Sequence, residues 1–179
     1  MKEVNMPFME QLINQDLPNH VRCNHALEHA TLHVLQEKGV RNGLGGISDA
    51  GGCFIYGEVD TALMAEAARE ALERLQQGEA KLAVHPNCGT NLAVGGLAAG
   101  GMAWLGMLGT GDKFSRKLRR LPLAVILGLV GYQMAKPLGP KLQEQITTNA
   151  DVSKLEITGV LRHEIMGRII HRISTRTAS

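Results

Sequence analysis

From Leu82 to Gly111 the sequence has no Asp, Glu, Lys or Arg. A run so free of charge is not a solvated linker and must be buried in protein or in lipid. Aromatic residues are also scarce, one Trp, two Tyr and three Phe in 179 residues. That excludes the basic and aromatic surface of a nucleic-acid binder, so no nucleic-acid partner is expected. The only cysteines are Cys23, Cys53 and Cys88, too few and too scattered for a disulfide framework. At least one of them is free or bound to something else. The first sixteen residues, MKEVNMPFMEQLINQD, contain neither a continuous apolar core nor a cleavage site, so no signal peptide is expected. Phe8, Met9, Leu12 and Ile13 form one face of a short amphipathic helix, suited to packing on the domain or lying on a membrane.

The net charge of +2 conceals an asymmetry. Residues 1–89 carry 7 basic against 12 acidic residues, residues 110–120 carry 5 against 1, and residues 121–179 carry 7 against 4. The length suits one domain with its own core, or a small domain plus membrane helices.

The densest chemistry lies between Asn19 and Gly39. Asn19, after Pro18, is expected to cap a helix and Gly39 to end it. At about 100° per residue, Val21, Leu27, Thr31, Leu32, Val34 and Leu35 gather on one apolar arc. Glu28 falls inside that arc, where an unpaired carboxylate is costly. His25 and His29 stand side by side just past its edge, and His33 continues the ridge. Two imidazoles at this spacing beside an inward carboxylate suit a divalent metal. The alternative is a helix with polar edge histidines and a Glu28 paired to an arginine.

Further along, Leu44–Ile47 and Cys53–Tyr56 read as strands around a glycine-rich turn. Asp60 caps a helix over 61–77 with Leu63, Met64, Ala67, Ala68, Ala71, Leu72 and Leu75 as its core stripe, leaving Glu66, Glu70 and Arg74 in solvent. Residues 81–85 read as a third strand, held extended by Pro86. His85-Pro-Asn-Cys-Gly-Thr-Asn91 is a tight polar turn offering His85 and Cys88 as further metal ligands. It also reads as a plain turn capping the next helix.

Two apolar runs follow, Leu92–Leu108 and Leu121–Ala135, with the basic stretch 112–120 between them. About 20 helical residues span the roughly 30 Å hydrocarbon core of a bilayer. The second run is short for that, about 22 Å, although Lys136 can snorkel. Gly96-x-x-x-Gly100 suits close packing of membrane helices, within the chain, with a membrane-protein partner or with a second copy. Leu155–Leu161 and Arg168–Ile173 read as a hairpin turning over 162–167 that joins the earlier sheet. The expected fold is therefore α+β. A small α-β-β-α-β domain (residues 1–89) is completed by the β-hairpin of a C-terminal segment (139–179) that rejoins it, with an inserted two-helix transmembrane hairpin (90–138).

His25-Ala-Leu-Glu28-His29 has the H-x-x-E-H order of the inverzincin metallopeptidases and resembles them over those five residues. The resemblance implies His25 and His29 as zinc ligands and Glu28 as general base. The usual glutamate ligand on a distant helix is not evident here. The stretches Asn24–Ala30, His85–Asn91 and Pro137–Gln143 together resemble an uncharacterised bacterial membrane-associated domain family over most of residues 20–175. That resemblance implies a membrane location and no reaction.

The expectation is a membrane-associated zinc-dependent hydrolase, most simply a peptidase, with Zn or another divalent transition metal on His25, His29 and either His85 or Cys88. His33 would share an ion with His25 only across about 12 Å of helix axis. The alternatives are a non-catalytic metal or tetrapyrrole binder and a structural subunit of a membrane complex. The expected location is the lipid bilayer of the bacterial inner membrane. Basic residues in 112–120 favour that loop in the cytoplasm, whereas an N-terminal domain without a signal peptide favours the domain on the cytoplasmic face.

Overall fold

The computed structural model describes residues 16–40 and 43–178. The amphipathic segment at Phe8–Ile13 lies outside the described residues. The chain divides into two compact units, one built from residues up to His85 together with those from Glu144 on, the other from Pro86–Gln143.

In the first unit, helix α1 (Asp16–Glu37) precedes strands β1 (Gly45–Asp49) and β2 (Gly52–Tyr56) and helix α2 (Thr61–Gln76). Strands β3 (Leu155–Ile165) and β4 (Arg168–Thr177) complete it. The four strands form one antiparallel sheet in the order β1-β2-β4-β3. The C-terminal hairpin enters through β4, which pairs with β2 from Gly52–Ser174 to Tyr56–Ile170. Leu27 and Leu35 of α1, Met64 of α2, Ile55 of β2 and Ile173 of β4 are fully buried in a shared core. Each such burial contributes about 1.5–3 kcal/mol. Asp60 accepts hydrogen bonds from the Ala62 and Leu63 amides and so starts α2 where expected.

Three expectations need correction here. Asn19 does not cap α1, because the helix is already formed at Asp16. Its side-chain oxygen instead accepts from Asn149 Nδ2 at 2.7 Å. The third strand of the expected α-β-β-α-β order is absent: Ala80–Ala83 is a 3₁₀ turn. Leu82 and Ala83 are buried in succession, without the alternation a half-buried strand needs. The carbonyls that would face a sheet neighbour are taken by histidine rings of α1. Finally, the turn of the C-terminal hairpin is only Met166-Gly167, both with positive φ, since the strands run on to Ile165 and from Arg168.

The second unit contains helix α3 (Gly89–Met107), helix α4 (Phe114–Ala135) and a short helix α5 (Leu138–Leu142). Helices α3 and α4 pack antiparallel, with Gly95 against Tyr132 and Gly106 against Ala124. The basic stretch expected as a loop is largely the first two turns of α4, and Pro122 lies inside that helix. Gly96 and Gly100 do not mediate the packing, for nothing lies within 4 Å of where their side chains would begin. Among the described residues, no single helix is long and apolar enough to cross a membrane. Only α4 taken with Leu138–Thr147, bent by 48°, reaches that length and composition.

Candidate metal centre

The ridge of α1 carries His25, His29 and His33 at four-residue intervals. His85 comes to this ridge from the chain just after the 3₁₀ turn. Ring centroids are 4.3 Å apart for His25 and His29, 5.7 Å for His29 and His85, and 4.8 Å for His33 and His85. Four imidazoles thus form one continuous group inside the first unit. Ligand nitrogens of His25 and His29 lie within 4.8 Å of each other.

Three of the rings are anchored by backbone. His25 Nδ1 donates to the Thr147 carbonyl at 2.9 Å, and His29 Nδ1 donates to the Ala83 carbonyl at 2.7 Å. An imidazole that donates from Nδ1 carries its lone pair, when neutral, on Nε2. His33 is anchored the other way, Nε2 donating to the Val84 carbonyl at 2.9 Å. Gln36 Nε2 donates to His85 Nε2 at 3.3 Å. Backbone anchoring of the second ring nitrogen is the usual support of metal-ligating histidines, because it fixes the tautomer and the ring orientation.

His29 and His85 are buried, His25 and His33 partly so. Burial pushes the His85 pKa down to about 4, helped by His33 and His29. The ring is therefore neutral at pH 7, the protonation state a metal requires.

Glu28 is 4% exposed and accepts a hydrogen bond from Ser48 of β1. The backbone passes close above it at Gly46, where a Cβ would stand 2.6 Å from Glu28 Oε1. Cys88 belongs to the second unit, as the residue preceding α3, with Sγ 3.5 Å from Thr90 Oγ1. His171 lies in β4 and is fully buried, its Nε2 3.2 Å from Thr61 Oγ1.

Sequence reasoning missed several members of this arrangement. Ser48 is one, since nothing in a strand pattern says which hydroxyl meets a helix carboxylate. Gln36 is another. His33 stands in line with His25 and His29, but axis length argued against its use. It joins the group through His85, which a one-helix argument does not include.

A sequence profile described as a domain of unknown function (DUF6391) matches residues 20–160. A protein of Picosynechococcus sp. (strain ATCC 27264 / PCC 7002 / PR-6), described as uncharacterized, is 35% identical over 147 residues. The aligned part is 72% of this chain and 65% of that relative, so the chain spans about two-thirds of the length of the relative it matches. No solved structure matches.

Proposed function

The chain belongs to the DUF6391 family, and we propose that it is a membrane-associated metalloprotein working as a zinc-dependent hydrolase, peptidase-like in its chemistry. The observation that carries this reading is the pair His25 and His29, neighbours on one helix ridge, each with Nδ1 anchored by a backbone carbonyl so that Nε2 would be the ligand atom. His85, close to His29, is the first choice for the third ligand, its Nε2 exchanging the Gln36 hydrogen bond for the metal. Cys88, three residues further along the chain, is the second. Zinc would supply a water of pKa about 7 and polarise a carbonyl. Glu28 would take the proton of that water, the role its place in the H-x-x-E-H order implies.

The lipid bilayer is the partner of the second unit. Leu97, Trp104, Val125, Ile126, Leu129 and Met134 are exposed large apolar side chains on its two long helices. Exposed apolar area on this scale marks an interaction surface. Gly96 and Gly100 offer an open small-residue face to a second copy or a membrane-protein partner. The inner membrane, with the histidine unit on the cytoplasmic face, is the location this reading takes.

One observation favours a second reading. Ser48 occupies an oxygen of Glu28, and the backbone at Gly46 crowds it, as suits a buried structural carboxylate beside a closed, non-catalytic metal or tetrapyrrole site. Metal analysis of the detergent-purified chain tests the shared premise. About one zinc per chain is expected, and the double change His25→Ala and His29→Ala should remove it. Full occupancy in that variant would sink the site. Glu28→Gln then separates the readings: lost hydrolysis of a fluorogenic peptide library with metal retained supports the hydrolase, and unchanged turnover refutes it.

A further inference from the structure

Helix α4 presents three distinct faces. Ala124, Gly128 and Gly131 are buried against α3, and Ala135, on the same side of the helix, is also buried. Phe114, Leu118, Leu121, Val125 and Leu129 recur every three or four residues and are all half or more exposed, Phe114 at 77%. Arg116, Lys117, Arg119 and Arg120 cover the rest of the first two turns, exposed and without an ion-pair partner among the described residues. No acidic residue stands in the first turn.

This arrangement is locally unfavourable. Cations at a helix N-terminus oppose the helix dipole, whose positive end attracts anions. Four of them in two turns, beside an apolar stripe that continues along the helix, match a surface that is anionic at its rim and apolar beneath. A bilayer containing acidic phospholipid has both properties. Nucleic acid offers only the charge, and Phe114 is the one aromatic side chain there for a base to stack on.

We infer that the basic first turns of α4 recognise anionic phospholipid headgroups while its apolar stripe enters the acyl region. The inference rests on the membrane reading of the second unit and names the lipid class that unit prefers. It does not involve the histidine site.

The test titrates fluorescent phosphatidylglycerol, or fluorescent phosphatidylcholine, into the detergent-solubilised full chain. Phosphatidylglycerol should bind at least about tenfold more tightly, with a preference that falls as salt is raised. The variant R116A/K117A/R119A/R120A should lose that preference, and R116K/R119K/R120K should keep it, since attraction to a charged surface needs charge and not the guanidinium fork. Equal affinity for the two lipids, a preference unchanged in the alanine variant, or one lost in the lysine variant would each overturn the inference. So would displacement of the lipid by inorganic phosphate at equal concentration, or tighter binding of a single-stranded RNA. Alkaline carbonate extraction of the wild-type chain separates the two levels. Release from membranes refutes the membrane reading itself, whereas retention without lipid preference refutes only the inference.

Discussion

Gln143 Nε2 donates to Asn91 Oδ1 at 2.7 Å, joining the end of the second unit to its beginning. Asn91 in turn donates from Nδ2 to the Pro86 carbonyl at 2.7 Å. Gly139 lies directly over Asn91, where any Cβ would overlap the Asn91 side chain. The two polar motifs on either side of the apolar helices, His85–Asn91 and Pro137–Gln143, are therefore one interlock. The Asn91 contacts close the unit, a structural duty separate from any chemistry at His85.

Gln143 is fully buried, so losing Asn91 Oδ1 removes an acceptor from a buried amide. Asn91→Ala should destabilise the chain by about 1–3 kcal/mol, read as a lower midpoint of thermal unfolding in detergent. The double variant N91A/Q143L should lose less than the sum of the two single variants, because both single changes remove the same hydrogen bond. Strictly additive losses would show that the two side chains are not coupled.

The helical hairpin yields a contrast between two glycines. A Cβ on Gly131 would stand 2.5 Å from the Ala98 carbonyl and 2.7 Å from Met102 Cγ, whereas Gly96 faces open space. Gly131→Ala should cost about 1–3 kcal/mol by overpacking. Gly96→Ala should be neutral or gain up to about 1 kcal/mol of helix propensity. Thermal unfolding of the detergent-solubilised variants measures both. A Gly96→Ala loss as large as that of Gly131→Ala would mean that a second chain packs on the open face.

His171 should make the first unit acid-sensitive. Burial lowers its pKa, with Arg162 acting in the same direction and Asp60 opposing, and its Nδ1 has no hydrogen-bond partner among the described residues. A histidine whose folded pKa is depressed binds fewer protons folded than unfolded once pH drops below the ordinary histidine value of about 6.5. Stability contributed by its neutral form is therefore lost as pH falls below that value. His171→Leu should flatten the fall in denaturant midpoint between neutral and mildly acidic pH. An unchanged pH dependence would show that His171 carries none of it.

Much of the first unit was legible because its signals are local. Asp60 caps α2, the stripe Met64 to Leu75 is buried as spaced, and the turn at 50–51 joins β1 to β2. The third strand failed because Ala83 and Val84 give their carbonyls to His29 and His33, partners more than fifty residues back in the chain. Local pattern holds no trace of such bonds. The start of α4 was missed for another reason: charge suggested a loop, but Arg, Lys and Leu are all good helix formers. Of the site, the α1 ridge follows from helical spacing alone. Ser48 beneath Glu28 and Gln36 beside His85 depend on how separate elements meet, which no spacing encodes.

The sharpest test of the proposed metal centre compares His85 with Glu70. Both are titratable side chains of the first unit, and both touch something well defined. Glu70 holds Lys38 Nζ at 2.9 Å on the surface of α2 and belongs to a network with Arg74. Solvent screens that network, and losing one member costs little. His85 is buried, neutral at pH 7 and within ring contact of both His29 and His33. Whether it binds the ion directly or holds its neighbours in place, its loss should weaken zinc binding at least about tenfold. Competition with a chromophoric zinc chelator on the purified chain reads this affinity directly. His85→Ala should shift it and Glu70→Ala should not. Equal affinity in the two variants would remove His85 from the centre and leave His33 and Cys88 as the remaining candidates for the third ligand.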